Sequence, residues 1–185
     1  MIVFLLPFNR EWLTPGYHRK RIAYERKQIK MQEKSKPPEL AIYPMHTDHL
    51  DDLAQLESLT FSRPWSYDAL AGELQNPLAV FYVAENVETE RAWGYIGMHH
   101  ILDEGAITNI VVHPGYRRRG VATALLYEVI GYAKKHNISR LTLEVRVSNH
   151  AAIALYENVG FEQEGIRPGF YDSPKEDAAI YSLYF

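Results

Sequence analysis

His113–Thr123, HPGYRRRGVAT, is the stretch from which the chain is best read. Ahead of it lies Ile107–Val112, I-T-N-I-V-V, a β-branched run of strand length. Behind it, Gly120 to His136 carries Ala122, Leu125, Leu126, Val129 and Ala133 at the i, i+3, i+4 spacing of an amphipathic helix. The segment therefore reads as strand, tight loop and helix. A helix that opens directly after a glycine-containing loop offers unpaired backbone N–H groups and the positive end of its dipole. Arg117, Arg118 and Arg119 add formal charge, so the loop reads either as a solvated charge run or as an anion site that a diphosphate would fit. Arg117-x-x-Gly120-x-Ala122 matches neither common phosphate pattern: no Gly-Lys-Ser/Thr follows, and the first glycine of G-x-G-x-x-G is missing.

Downstream, Arg140 to Val147 is a second central strand, and its connection through a helix predicts a parallel neighbour of Ile107–Val112 in a right-handed crossover. Leu141, Leu143, Val145 and Val147 face one way, and Thr142, Glu144 and Arg146 the other. A carboxylate on such a strand needs a partner or a cleft, so Glu144 is either the partner of Arg146 or a cleft residue. Ser148 or Asn149 caps a helix over Ala151–Asn158, and Gly160 ends it. Asn149 and Tyr156 are seven residues apart, nearly two turns, and so can face one cleft. Tyr156 taken alone reads rather as an ordinary half-buried tyrosine. Phe161–Gly165 and Ala178–Phe185 are expected as closing strands.

Upstream, Ala79–Glu85 and Trp93–Ile101 form a hairpin about the charged turn Glu88–Arg91, and a further turn is expected at Asp103–Gly105. His99 and His100 point to opposite faces of their strand and cannot share one ion, so no metal is expected. Ala41–Met45 is the first strand. Thr47 or Asp48 caps a helix running to about Phe61, with Leu50, Leu53, Ala54 and Leu56 on its buried side. Ser66 caps a second helix, Tyr67–Gln75, stopped by Asn76-Pro77. The connection Thr60–Trp65, TFSRPW, is either a wall of a substrate cleft or a staple in which Phe61 and Trp65 hold the two helices together.

A chain of 185 residues, 46% hydrophobic, suffices for one full core, and the absence of cysteine excludes disulfides, thiolate metal sites and a cysteine acyl-enzyme. The net charge of −3 conceals an asymmetry, because residues 1–39 hold nine Lys/Arg against four Glu, a balance of +5, leaving −8 for residues 40–185. Lys36-Pro37-Pro38 breaks any preceding helix, which sets the expected division into a basic, partly helical arm over 1–39 and a domain over 40–185. Such an arm is suited to nucleic acid or to the acidic body itself. Met1–Phe8 is apolar but too short to span a bilayer and lacks signal-peptide features, so the expectation is a soluble, cytoplasmic protein with no membrane partner.

Three stretches carry a family resemblance: the arginine loop, LEVRVSNHAAIALYENVGF at Leu143–Phe161, and PWS at Pro64–Ser66. In them the chain resembles the GNAT superfamily of acetyl-CoA-dependent N-acetyltransferases, and within it the RimI-type ribosomal-protein-alanine acetyltransferases, over about Ala41 to Phe185. The resemblance implies an α/β, three-layer fold: a central mixed, mostly antiparallel sheet splayed between two parallel central strands, with helices on both faces. It also implies acetyl-CoA as co-substrate. The thioester end would lie along Ile110, Val111 and Val112, the pyrophosphate on Arg117, Arg118, Arg119, Gly120, Val121, Ala122 and Thr123, and the pantetheine arm against Asn149. By the same resemblance Glu144 is the base and Tyr156 the acid of direct acetyl transfer. The implied acceptor is the N-terminal alanine of a ribosomal protein, with Phe61, Trp65 and Tyr171 as peptide contacts.

Overall fold

A computed structural model describes Pro37 and residues 39–185; the expected arm, apart from Pro37 and Glu39, lies outside the described residues. Seven strands form one sheet in the order β1-β2-β3-β4-β5-β7-β6. They are β1 (Leu40–Pro44), β2 (Ala79–Asn86), β3 (Ala92–Ile101), β4 (Glu104–Val112), β5 (Arg140–Arg146), β6 (Glu162–Asp172) and β7 (Lys175–Tyr184). Among the described residues four α-helices accompany them: α1 (Leu50–Thr60), α2 (Tyr67–Leu74), α3 (Val121–Lys135) and α4 (His150–Val159). Among the described residues no helix is long and apolar enough to cross a membrane.

The layers follow from strand alternation. Residues 92–98 of β3 are all buried, as a strand covered on both faces requires. Tyr95 points into a cluster with Leu50, Leu53 and Leu56 of α1 and Leu70 of α2. Ile96 and Met98 point into the larger cluster with Leu125, Leu126 and Val129 of α3 and Tyr156 and Val159 of α4. Helices thus cover both faces.

β4 and β5 are the parallel pair, and they stay paired only from Glu104 to Ala106 against Arg140 to Thr142. Beyond that point β4 remains bonded to β3 and β5 to β7, so the two strands part within the sheet. This parting creates the site. Alternate backbone N–H and C=O groups of β4 are thereby left without a strand partner on the β5 side. A register shift between Gly97 and Met98, with Thr108 as the extra residue on β4, accompanies the divergence.

Three expected boundaries are corrected. The first helix is preceded by a 3-10 turn, Thr47–His49, capped by His46 rather than Thr47 or Asp48: His46 Nδ1 accepts from the Asp48 N–H, and His49 Nδ1 accepts from the His46 N–H. Glu104 and Gly105 belong to β4, not to a turn. The closing strands are much longer than Phe161–Gly165 and Ala178–Phe185, because β6 and β7 form a hairpin that carries Pro168, Gly169 and Pro174 within or beside its strands. Proline and glycine argue against strand in a local reading, yet register shifts along the hairpin accommodate them at the sheet edge.

Candidate active site

A cleft of about 390 Å³ opens where β4 and β5 part. Thr108, Asn109 and Ile110 of β4 line one side, and Leu143, Glu144, Val145 and Arg146 of β5 line the other. The loop between α1 and α2 supplies Phe61, Arg63 and Trp65, and the β6–β7 hairpin supplies Phe170, Tyr171 and Asp172. Asn149 and Tyr156, at the start and in the body of α4, complete the wall.

Of the two readings of Glu144, the fold makes it a cleft residue and not the partner of Arg146. Glu144 Oε1 accepts from Arg167 Nη1 at 2.9 Å, and its backbone carbonyl accepts from the Tyr171 hydroxyl at 3.3 Å. Arg146 turns to Glu176 at 3.0 Å and to the carbonyls of Ser173 and Pro174, with its guanidinium over the Tyr171 ring at 4.1 Å. Two residues of β5 on one face are thus separated by partners from the neighbouring hairpin, which local sequence does not reveal. The Glu144 side chain is 37% exposed.

Tyr156 is 5% exposed and lines the same cleft. Burial, with a smaller contribution from Tyr171, pushes its phenol pKa above the usual range, so the hydroxyl keeps its proton at neutral pH. Asn149 Oδ1 caps α4 by accepting from the Ala152 N–H at 3.2 Å, which leaves its amide nitrogen as the remaining donor. Phe61, Trp65 and Tyr171, the expected peptide contacts, all lie on the cleft, and Arg63 reaches Asp172 across its mouth at 3.3 Å.

The arginine loop lies apart from these walls. Gly120 is the N-cap of α3 with φ 83°, and Arg118 has φ 62°, so the chain is left-handed at both residues. No side chain caps α3 and no acid stands in its first turn, which leaves the N–H groups of Val121, Ala122 and Thr123 open. The three arginines divide. Arg117 Nε donates to the Val112 carbonyl at 3.1 Å. Arg119 pairs with Glu39 at 2.7 Å and stacks over Trp93 at 4.9 Å. Arg118 is exposed and forms no ion pair among the described residues. Open N–H groups beside an unengaged guanidinium make a donor set suited to a diphosphate. Of the expected β4 contacts, Ile110 and Val112 are half-buried, while Val111 is 1% exposed with its side chain in the core, so only its backbone can face a ligand.

Glu57 was not singled out by sequence reading. It is fully buried and lines the cleft. The signal was present: Glu57 follows Leu50 by seven residues and Leu53 by four, which places a carboxylate on the apolar stripe of α1.

This fold and cleft have known counterparts. The acetyltransferase (GNAT) family model matches residues 48–161, and the chain belongs to that family. It is an acetyl-transferring enzyme. A Bacillus subtilis relative, named putative ribosomal protein bS18-alanine N-acetyltransferase, is 36% identical over 141 residues, covering 76% of this chain and 92% of the relative. The crystal structure of the Escherichia coli ribosomal-protein-S18-alanine N-acetyltransferase superposes with a TM-score of 0.71 at 33% identity, covering 78% of this chain and 93% of the other. Arabidopsis thaliana NAA60 in complex with acetyl-CoA shares the fold, with a TM-score of 0.73 at 20% identity over 79% of this chain and 98% of that one.

Proposed function

We propose that the chain transfers the acetyl group of acetyl-CoA to the N-terminal α-amino group of a protein, the acceptor being the N-terminal alanine of a ribosomal small-subunit protein. The observation that carries this reading is the meeting of Glu144 and Tyr156 with the aromatic walls Phe61, Trp65 and Tyr171 at the opening between β4 and β5. The activities for which the Bacillus and Escherichia relatives are named support the choice of acceptor.

Acetyl-CoA supplies an activated thioester carbonyl. Arg118 and the open N–H groups of Val121, Ala122 and Thr123 suit its diphosphate, Asn149 the pantetheine arm, and β4 from Ile110 to Val112 the acyl end. A backbone N–H near Val111 or Val112 can donate to the carbonyl oxygen as negative charge grows there. An α-amino group has a pKa of about 7.7–8.0, so a minority is neutral at pH 7 and the base has modest work to do. Glu144, directly or through a water, takes the proton from the attacking amine. Tyr156 gives its proton to the departing thiolate, a role suited to a phenol that burial keeps protonated.

The test is acetyl transfer across a panel of N-terminal peptides, with an amino-blocked lysine peptide as control. Transfer to the α-amine of an alanine-starting ribosomal peptide, with little to the lysine, is expected. Equal or greater transfer to the lysine peptide would overturn the acceptor assignment.

A further inference from the structure

Glu57 stands at the end of α1 and holds both ends of the loop that follows. Its backbone carbonyl accepts the Phe61 N–H at 2.9 Å, and its Oε2 accepts the Trp65 N–H at 2.8 Å. Oε1 accepts from the Tyr95 hydroxyl at 2.5 Å and from Asn109 Nδ2 at 3.3 Å. Tyr95 belongs to β3 and Asn109 to β4, so a single side chain ties the loop to two strands of the sheet. The ring of Phe81 reinforces this link, lying 6.2 Å from Tyr95 and 6.2 Å from Trp65.

An apolar residue would continue the stripe of α1 but would leave the Trp65 N–H, the Tyr95 hydroxyl and the Asn109 amide without this acceptor, a costly arrangement in a buried place. All three donors need an acceptor at the Glu57 position; none needs a net charge. Glutamine can meet the part of this demand that holds the loop, the Trp65 N–H. Its carbonyl accepts from Trp65, and its amide donates to the Tyr95 oxygen and, after the Asn109 amide turns over, to Asn109 Oδ1, so that of the three donors the Tyr95 O–H alone is left without this acceptor.

We propose that Glu57 is a positioning residue for the acceptor: by accepting from Trp65, Tyr95 and Asn109 it fixes the loop bearing Phe61 and Trp65, and so sets how tightly the acceptor peptide is held. The proposal rests on the reading of that loop as a wall of the acceptor site. Glu57 acts through the loop and takes no proton from the substrate.

The experiment compares the full chain with E57A and E57Q by three measurements: steady-state kinetics with the alanine-starting peptide, acetyl-CoA affinity by calorimetry, and backbone hydrogen exchange at Trp65. In E57A the Trp65 amide loses protection and the peptide KM rises about tenfold, as expected for a buried acceptor removed from its donors. Its kcat stays within about threefold, and acetyl-CoA affinity is unchanged, the pattern of lost uniform binding. E57Q restores both KM and protection. An E57A enzyme with exposed Trp65 but unaltered KM would overturn the proposal. So would an E57Q enzyme as impaired as E57A in kcat with a displaced pH profile, since the charge would then be the working part. If E57A does not fold, Y95F, which removes one donor, is expected to move KM and exchange in the same direction by about two- to fivefold; no movement in either would overturn the proposal. Failure of the acceptor reading looks different: the wild-type protein binds acetyl-CoA yet acetylates none of the peptides, while exchange at Trp65 still decides whether Glu57 holds the loop.

Discussion

At the scale of single residues, the proposed mechanism divides the proton chemistry between the exposed carboxylate of Glu144 and the buried phenol of Tyr156. Glu144→Gln is expected to lower turnover by roughly 10²–10⁴ near neutral pH, the range for a positioned acid or base. Acetyl-CoA affinity should persist, and raising the pH should recover much of the rate as the amine loses its own proton. Arg167 makes a control available. If Glu144 served only its ion pair with Arg167, Arg167→Ala and Glu144→Gln would cost the same in melting temperature and neither would change specific activity. Tyr156→Phe is expected to cut turnover with the fold kept, because the ring stays in the core cluster and only the hydroxyl at the cleft is lost. Measuring kcat and melting temperature together checks both substitutions.

At the scale of elements, the β6–β7 hairpin is held to β5 by Glu176. Its Oε2 accepts from Arg146 and its Oε1 from the Ser148 N–H at 2.7 Å, just before α4 begins. The Ser148 hydrogen bonds, with the Arg146 charge behind them, hold the Glu176 carboxyl below the usual carboxylate range. A carboxyl whose folded pKa is depressed favours the fold above its unfolded pKa, and that contribution is lost as the pH falls through the folded pKa. Urea midpoints of wild type and Glu176→Gln should therefore differ at neutral pH, by a gap that stays constant down to the usual carboxylate range and closes below it. The opening of α3 carries a second prediction. Gly120→Val should weaken acetyl-CoA binding more than Arg118→Ala, as read by calorimetry, since valine brings a side chain to the diphosphate position and also strains a backbone at φ 83° by about 1–2 kcal/mol. Unchanged affinity in both variants would remove the diphosphate assignment.

For the whole molecule, the seven-stranded sheet, the cleft and the Glu39–Arg119 clamp all lie within residues 37–185. We propose that residues 1–38 add stability rather than cofactor affinity: deleting them, with Glu39 retained, should lower the melting temperature and leave acetyl-CoA binding nearly unchanged. Unaltered stability with loss of ribosome or RNA association would assign that segment to a partner. The strands and helices around the arginine loop were legible in the sequence because period-2 and period-3.6 patterns, a glycine after the arginines and Asn149 before α4 are local signals. The family motifs added Glu144, Tyr156 and the loop aromatics, which the fold then gathers on one cleft. Other features arise only from tertiary structure. The partner of Glu144 comes from Arg167 on a hairpin whose prolines and glycine masked its strands, and Glu57 acquires its donors from Tyr95 and Asn109, 38 and 52 residues away. Sequence by itself determined which elements form and which families they match, since backbone propensity and side-chain period act between near neighbours. The parting of β4 from β5, and the choice of which carboxylate meets which donor, were decided by pairing between distant strands, where burial leaves a charged group no partner except those the fold delivers.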